Sequence, residues 1–328
     1  MPIRKIVNGD TWEISTIVCC DVAPPVPHPT SQVFVPDGYA VTGGGAFALW
    51  GGAGSLLTAS MPVLDVPFVD GSSLPETNRV VGWQAAAKDH IRADPSALAV
   101  FAVGIRVTKN GVAVPVETSA GAFISDESNC PELVMDTARP GFLIAGGGAR
   151  VIPADPSGAG ALLQRIEPIG GTPTADGPWV LGVTTAWIAR ARDHVVPAAS
   201  RVSGMLVYLR IGDDSAPPIV TKVFGVESSK TDPHHTTCVI PDLDPLHKEV
   251  IAGGADAQSR FLTASVPGFV AGGEGLPPRI TSWTVASKDH LTSDAALLRG
   301  GLVVVGFAEP APTAPRSKRA RARRAAAR

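Results

Sequence analysis

Three Asp-His pairs, each preceded by a basic residue, are the groups in this sequence best suited to chemistry. They share one spacing, with a tryptophan seven residues before each histidine: Trp83 with Lys88, Asp89 and His90; Trp187 with Arg192, Asp193 and His194; Trp283 with Lys288, Asp289 and His290. A cation, a carboxylate and an imidazole together donate and accept hydrogen bonds, which suits a hydroxyl-rich ligand. The three triplets are therefore candidate ligand-binding residues.

Two other interpretations of the triplets stay open. In the structural one, each aspartate caps a turn after a strand by accepting backbone N–H bonds, and each histidine packs on the tryptophan strand or bonds a carbonyl. In the other, three histidines meet on an axis and bind a metal through neutral imidazole nitrogens. The structural interpretation is favoured over both the ligand-binding and the metal-binding one. Because the adjacent carboxylates need not point toward an axis, the sequence predicts no metal site and no cofactor.

The recurring tryptophans are expected to be core anchors rather than platforms for sugar stacking. Trp83 lies in an alternating pattern with Ala85 and Ala87, as in a half-buried strand. Trp50 differs, because it stands in Leu49-Trp50-Gly51-Gly52. We predict an exposed hairpin tip there and add Trp50 to the ligand-binding candidates.

The triplets belong to a longer pattern that occurs three times in the same order. Each copy has a glycine cluster, a Leu-Leu or Phe-Leu pair leading to proline, the tryptophan motif, and an apolar closing segment. Apart from the tryptophan motifs, the copies lie at Tyr39–Ala46, Leu56–Pro62 and Val100–Val107; at Phe142–Ala149, Leu162–Pro168 and Met205–Ile211; and at Glu249–Ala255, Phe261–Pro267 and Leu302–Phe307. Three ordered coincidences of this length indicate three repeats.

The repeats predict β structure, because their segments are short, rich in Val, Ile, Leu and Thr, and bounded by Gly, Pro, Asp and Ser. We expect an all-β protein of three tandem β repeats with pseudo-threefold symmetry. It would be a fused trimer of small β-sandwiches, each with its own core, or a β-prism-like body in which each repeat gives one sheet. The predicted segments are an N-terminal segment 1–13, repeats at 14–115, 116–219 and 220–309, and a disordered basic tail at 310–328.

The pattern of a glycine cluster, L-x-x-S-x-P and W-x4-[KR]-D-H resembles uncharacterised bacterial tandem β repeats over most of residues 30–309. This resemblance implies no activity and no site residue. Repeat 2 departs from the pattern at Arg165-Ile166, where the other repeats have Ala-Ser. The glycine-rich strand is also loosely similar to that of jacalin-type β-prism lectins.

Several kinds of active site do not fit the motifs. The glycine clusters lack the Lys-Ser/Thr and the helix of a phosphate loop, and no G-x-S-x-G sequence occurs. A catalytic serine in every repeat is excluded, because Ser60 and Ser265 correspond to Ile166. A metal site could also be formed by His234 and His235 with Asp232 and Cys238. This group occurs only in repeat 3 and stands beside Pro233, so we predict a solvated loop there instead. We therefore expect a protein that is not an enzyme.

Charge is concentrated at the C-terminus. The tail holds seven basic residues and no acid from Thr313 onward: Arg316, Lys318, Arg319, Arg321, Arg323, Arg324 and Arg328. Subtracting these seven from the 28 basic residues leaves 21 against 30 acidic residues, so the body carries a net −9. We expect nucleic acid or an anionic surface to bind through the tail only, if it binds at all.

The remaining signals concern the cell compartment. Cys19, Cys20, Cys130 and Cys238 form no C-x-x-C pair and are expected to be reduced, small apolar residues. The N-terminus has no apolar signal-peptide core, and no segment is long and apolar enough to span a membrane. We expect cytoplasmic synthesis without a signal peptide, and leave release or assembly into a particle open.

Two functions from different classes are compatible with these features. The first is a non-catalytic, multivalent, lectin-like protein that recognises glycans through repeated polar rims, and so gains avidity. The second is a structural or assembly protein, such as a particle, coat or fibre component, whose basic tail docks to a scaffold or a polyanion. The oligomeric state is left open.

Overall fold

The computed structural model is all-β, as the sequence predicts, with 21 strands and no helix among the residues that it describes. These residues are 2–52, 54–70, 72–75, 77–89, 92–154, 160–170, 179–194, 197–227, 235–242, 248–270, 279–289 and 296–308. Within these ranges no helix is long and apolar enough to cross a membrane.

Each repeat supplies six strands in the same order, which we call the first, second, glycine, proline, tryptophan and closing strands. In repeat 1 they are β2 (Asp10–Val26), β3 (Thr30–Phe34), β4 (Ala40–Leu49), β5 (Ser55–Leu64), β6 (Val80–Asp89) and β7 (Ser96–Lys109). In repeat 2 they are β9 (Val116–Ile124), β10 (Glu132–Met135), β11 (Leu143–Pro153), β12 (Leu162–Ile169), β14 (Ala186–Arg192) and β15 (Ser200–Ile211). In repeat 3 they are β16 (Ile219–Glu227), β17 (His235–Pro241), β18 (Glu249–Asp256), β19 (Phe261–Val270), β20 (Arg279–Lys288) and β21 (Arg299–Phe307).

Three additional strands lie outside this scheme: β1 (Ile3–Val7), β8 (Val112–Val114) and β13 (Trp179–Val183). Strand β1 pairs with β2, and β13 pairs with β16, so both cover the outer edge of a first strand. The edge of the remaining first strand, β9, is bound by a side chain, because Asn78 both accepts from and donates to the backbone of Ala120. The first strands are thus protected against edge-to-edge association.

The six strands of one repeat are divided between two sheets, and each sheet is shared by two repeats. The 1/2 sheet has the order β3-β6-β5-β11-β15-β9, and the 2/3 sheet has the order β10-β14-β12-β18-β21-β16-β13. The 3/1 sheet has the order β1-β2-β7-β4-β19-β20-β17, with β8 added to β7. Each sheet therefore joins the proline strand of one repeat to the glycine strand of the next.

This pairing closes into a ring. Ser60 lies opposite Ala149, and Ile166 lies opposite Ala255. Ser265 then lies opposite Ala46, which returns from repeat 3 to repeat 1. All sheet pairing is antiparallel, and the equivalent registers at the three seams give the body its pseudo-threefold order.

The arrangement combines features of both predicted alternatives. Three sheets surround one axis as in a prism, but each sheet comes from two repeats instead of one. Within a repeat, the two half-sheets pack on each other as in a sandwich, but one continuous apolar cluster spans all three repeats. Strand β2 begins at Asp10, so the predicted N-terminal segment contributes β1 and the start of β2 to the 3/1 sheet.

The centre of the body is formed by strand irregularities at equivalent positions. Each glycine strand has a bulge at a fully buried residue: Thr42, Ala145 and Ile251. The glycine strands contact one another there, and Thr42 Oγ1 donates to the carbonyl of Ile251 at 3.1 Å. Bulges increase local twist and bend a strand, which allows three sheets to converge on one axis.

Candidate functional site

The three recurring tryptophans are buried, as predicted: Trp83, Trp187 and Trp283 are each at most 1% exposed. The indole Nε1 of Trp83 donates to Ser60 Oγ at 2.9 Å, and that of Trp283 donates to Ser265 Oγ at 2.9 Å. The sugar-stacking alternative is excluded for these rings by their burial. The recurring serines are thus partners of the tryptophans within the core.

The glycine clusters serve the same core. A Cβ atom added to Gly44 would lie 2.5 Å from Cδ2 of Trp83, and one added to Gly147 would lie 2.6 Å from Cδ2 of Trp187. Gly253 has the same relation to Trp283, at 2.5 Å from Cγ. These glycines therefore allow a strand to approach an indole ring closely.

The aspartates of the triplets act as caps. Asp89 accepts a hydrogen bond from the backbone N–H of Asp94, five residues later, at 3.1 Å. Asp193 accepts one from Ala198, also five residues later, at 3.2 Å. The structural interpretation of these two aspartates is confirmed. Asp289 is also buried, at 7% exposure.

Two further members of the triplets, Lys88 and His194, contact the next repeat in the ring. Lys88 Nζ of repeat 1 lies 3.4 Å from the carbonyl oxygen of Gly160 in repeat 2. The His194 ring of repeat 2 meets Phe261 of repeat 3 edge-on, with centroids 5.2 Å apart. Burial lowers the pKa of Lys88, because desolvation penalises its charged form. The triplets therefore lie at seams between repeats, and their role in ligand binding stays a prediction.

Beside these seams the proline strands begin with a second apolar cluster, formed by Leu56, Leu162 and Phe261. One residue comes from each repeat at the equivalent position, and each is paired in register with the basic residue of its own triplet. Arg192, the third basic residue, is exposed. His90 and His290 lie outside the described residues. The predicted alternative of a metal site formed by three histidines is therefore not tested by the structure.

Lys288 and Trp50 are brought together, although they come from repeats 3 and 1. The Lys288 ammonium lies 4.5 Å from the centroid of the Trp50 ring, and His235 meets that ring edge-on at 5.9 Å. Trp50 follows β4 in a hairpin, as predicted, but it is half-buried where the sequence predicted exposure. The three side chains form a cation–π pair with an adjoining imidazole.

The prediction of a solvated loop around His235 and Cys238 is wrong, because both lie in β17 and Cys238 is buried. Strand alternation places them on opposite faces of the sheet. Asp232 and His234 lie outside the described residues. Within the described ranges, no group of three or more His, Cys, Asp and Glu residues is arranged to hold a metal ion.

The cysteines are free, as predicted, but they do not share one environment. Cys238 is buried and Cys19 is half-buried, while Cys20 and Cys130 are exposed. The prediction of small apolar packing residues is therefore wrong for Cys20 and Cys130. Both lie on strand or turn surfaces that a sequence pattern of isolated cysteines does not distinguish from core positions.

A cleft of about 790 Å³ is lined by residues from repeats 1 and 2, which include parts of β3 and β6 at one edge of the 1/2 sheet and of β15 and β9 at the other. Three arginines line it, and two of them, Arg139 and Arg210, lie 4.6 Å from the Phe142 ring centroid. Arg139 donates to Ser119 Oγ at 2.6 Å, and Arg210 pairs with Glu117 at 2.5 Å. The third, Arg79, pairs with Asp65. Each of these three arginines already has a hydrogen-bond or ion-pair partner, so the cleft presents no unpaired cation of these residues to a ligand.

Sequence reasoning missed a buried charge cluster in repeat 2. Arg165 pairs with Glu167 at 2.7 Å and approaches Asp256 of repeat 3 at 3.7 Å. Burial raises the pKa of Glu167, and the Arg165 guanidinium opposes this shift. The departure from the repeat pattern at Arg165-Ile166 could have indicated this cluster, because a charged residue in a buried strand requires partners of opposite charge. The cluster ties two repeats together across a seam.

No protein-family model matches this chain, and the comparison with curated proteins finds no similar sequence. The resemblance to uncharacterised bacterial β repeats therefore stays a prediction. The class of molecule rests on the fold alone: an all-β ring of three repeats whose sheets are shared between neighbours.

Proposed function

We propose that this protein is a non-catalytic structural protein that assembles with further copies of itself into a larger particle, coat or fibre. The observation that carries this proposal is that recurring residues of the three triplets make contacts within the body itself. Asp89 and Asp193 cap turns, while Lys88, His194 and Lys288 contact the following repeat. The threefold repetition is thus accounted for by closure of the ring, with no ligand needed to explain it.

The way the sheets are shared supports a rigid building block. One repeat cannot move as a unit without breaking strand pairing to both of its neighbours. Interrepeat contacts also fill the axis, where the glycine strands touch one another and the proline strands touch one another. Rigid, pre-formed units lose little conformational entropy when they associate, which favours assembly.

The basic tail fits this proposal as an arm that docks to a scaffold or a polyanion. It lies outside the described residues, so the argument rests on its charge alone. Seven cations and no acid follow an acidic body of net −9. Such an arm binds anionic partners through counterion release, while the body repels them.

The experiment is a measurement of mass in solution for the full chain. Size-exclusion chromatography with light scattering over a wide range of concentrations, with negative-stain microscopy of the same samples, is expected to show species of more than one chain. A monomer at every concentration would overturn the proposal.

A second candidate function, glycan binding, is favoured by one specific observation, the Trp50, Lys288 and His235 group. An indole ring beside a cation and an imidazole provides a stacking surface with hydrogen-bond donors. This candidate would have one site at the 3/1 seam rather than three. A glycan array with the wild type, Trp50→Ala and the adjacent Leu49→Ala tests it: binding that only Trp50→Ala abolishes would support the glycan site, and no binding by the wild type would exclude it.

A further inference from the structure

The outer face of the 3/1 sheet carries an uncharged row of side chains that crosses six strands. Directly opposed residues of antiparallel strands point to the same side of a sheet. The row runs in register from β2 to β17 through Val22, Ala99, Phe47, Ala264, Ala286 and Thr237. Val22, Phe47 and Thr237 of this row are exposed, whereas the neighbouring residues Ala46, Val100 and Val285 are fully buried, which identifies the row as the outward one. The small side chains of Ala99 and Ala264 within the row are 6% and 3% exposed.

The equivalent rows of the other two sheets are charged or partly covered. In the 1/2 sheet the position of Phe47 is taken by Arg150, which pairs with Asp70 of the loop after β5 and lies 5.7 Å from the Phe68 ring centroid. In the 2/3 sheet that position is Asp256, which stands in register with Arg165 and Arg299. Pseudo-threefold symmetry is thus broken on the outside, and the 3/1 sheet has the apolar face.

Six exposed residues define what we call the 3/1 face: Cys20, Val22, Phe47, Leu49, Thr237 and Val239. Val22 is 56% exposed, Val239 54%, and Phe47 38%. A band of six strands spaced about 4.8 Å apart, and five residues long at about 3.4 Å each, has a flat area of about 500 Å². This band includes the six face residues and, at its border, His235 and Lys288. Two such faces in contact would bury about 1,000 Å², which is the lower limit for a specific protein interface.

We propose that the 3/1 face binds the 3/1 face of a second copy of this chain, through a twofold axis that stacks the two sheets. A twofold interface uses the same surface patch on both partners, and an apolar patch can bury its area against a second copy of itself. Charge favours a second copy here, because two bodies of net −9 approach with least repulsion through a face that carries no acidic residue. Stacked sheets pack about 10 Å apart, with the outward side chains of both filling the space between them.

This inference rests on the proposed assembly function and assigns one of its contacts. A test must therefore separate a wrong face from the absence of assembly. The chain offers a matched pair of substitutions, because Val22 on the 3/1 face and Val134 on the second strand of repeat 2 are exposed to similar extents, 56% and 50%. Val22→Glu places a charge in the face, while Val134→Glu places the same charge outside it.

Light scattering on full-length protein is expected to show that the wild type forms a dimer and that Val134→Glu leaves its dissociation constant unchanged. The dissociation constant of Val22→Glu is expected to rise at least about tenfold, because the contact would bury a carboxylate that has no partner. Assembly that is equally strong in both variants would overturn the 3/1 face and leave the proposed function standing. A monomeric wild type at every concentration would overturn both.

The exposed cysteines provide a second measurement that needs no substitution. Cys20 lies on the 3/1 face, and Cys130 lies exposed in repeat 2, outside it. Alkylation of the wild type with iodoacetamide, followed by mass spectrometry, is expected to slow at Cys20 as protein concentration rises, while Cys130 keeps its rate. A Cys20-to-Cys130 rate ratio that is independent of concentration in an assembling sample would exclude the 3/1 face as the contact, even if Val22→Glu failed to fold.

Discussion

The indole Nε1 of Trp83 donates a hydrogen bond to Ser60 Oγ at 2.9 Å, deep in the core. Trp283 and Ser265 repeat this relation at the same distance. In repeat 2 the serine is replaced by Ile166, and the buried Trp187 Nε1 has no hydrogen-bond partner among the described residues. One chain therefore contains two examples of this core with the hydrogen bond and one without it.

Replacing each tryptophan with phenylalanine should distinguish the three sites. All three variants lose indole volume, but only Trp83→Phe and Trp283→Phe also lose a buried hydrogen bond. We expect these two to lower the free energy of unfolding by about 1 kcal/mol more than Trp187→Phe does. Urea unfolding followed by circular dichroism measures the difference, and equal losses at all three positions would contradict it.

Gly44→Ala should destabilise the protein, because the added methyl group would overlap the Trp83 ring. Overpacking of a rigid core costs about 1–3 kcal/mol. Gly51→Ala is the matched control, since a Cβ atom there meets nothing within 4 Å. Thermal unfolding should give a lower Tm for Gly44→Ala and a nearly unchanged one for Gly51→Ala. An unchanged Tm for both would show that the strands can move apart.

The sequence predicted the burial of the tryptophans because that signal is local: Trp83 alternates with the small apolar residues Ala85 and Ala87 within its own strand. It could not predict which proline strand joins which glycine strand. Ser60 could lie opposite Ala46 of its own repeat or Ala149 of the next, since both strands have the same pattern. The sequence also could not assign one role to the three triplets, because a residue that recurs to bind its neighbour in a ring has the same spacing as one that recurs to bind a ligand.

Glu249 should make stability depend on pH. Burial raises the pKa of this carboxyl group, which accepts a hydrogen bond from Thr16 Oγ1 at 3.0 Å. A group whose pKa is higher in the folded state binds protons more tightly there. Its stabilising contribution is therefore complete below the ordinary glutamate pKa of 4.5 and is lost as pH rises through the folded pKa.

We therefore expect Glu249→Gln to gain stability relative to the wild type as pH rises from acidic to neutral values. Urea unfolding of both proteins at a series of pH values measures this difference. A difference that stays constant with pH would show that the carboxyl group titrates alike in the folded and unfolded states.

Removal of the basic tail, residues 313–328, should abolish binding to DNA, RNA and anionic vesicles. The body that remains carries a net −9 and repels polyanions. In the full chain, binding should weaken steeply with salt and be independent of base sequence, because it would arise from counterion release. Electrophoretic mobility shifts at several salt concentrations measure both effects, with the Tm of the truncated chain as the control for folding. Binding that survives truncation would place the anion site on the body.

Ring closure also sets an order of events on the ribosome. Glycine strand β4 obtains its partner β19 only when Ser265 has been synthesised, after the whole of repeats 1 and 2. Until then the nascent protein exposes a glycine-rich edge and the apolar axis of two unfinished repeats, features that promote aggregation. Lys5 Nζ in turn donates to the carbonyl of Ala308, so strand β1 contacts a residue that is synthesised 303 residues later. A chain arrested before β19 is synthesised would therefore lack the contacts that hold the finished body together, and we expect it to require chaperones.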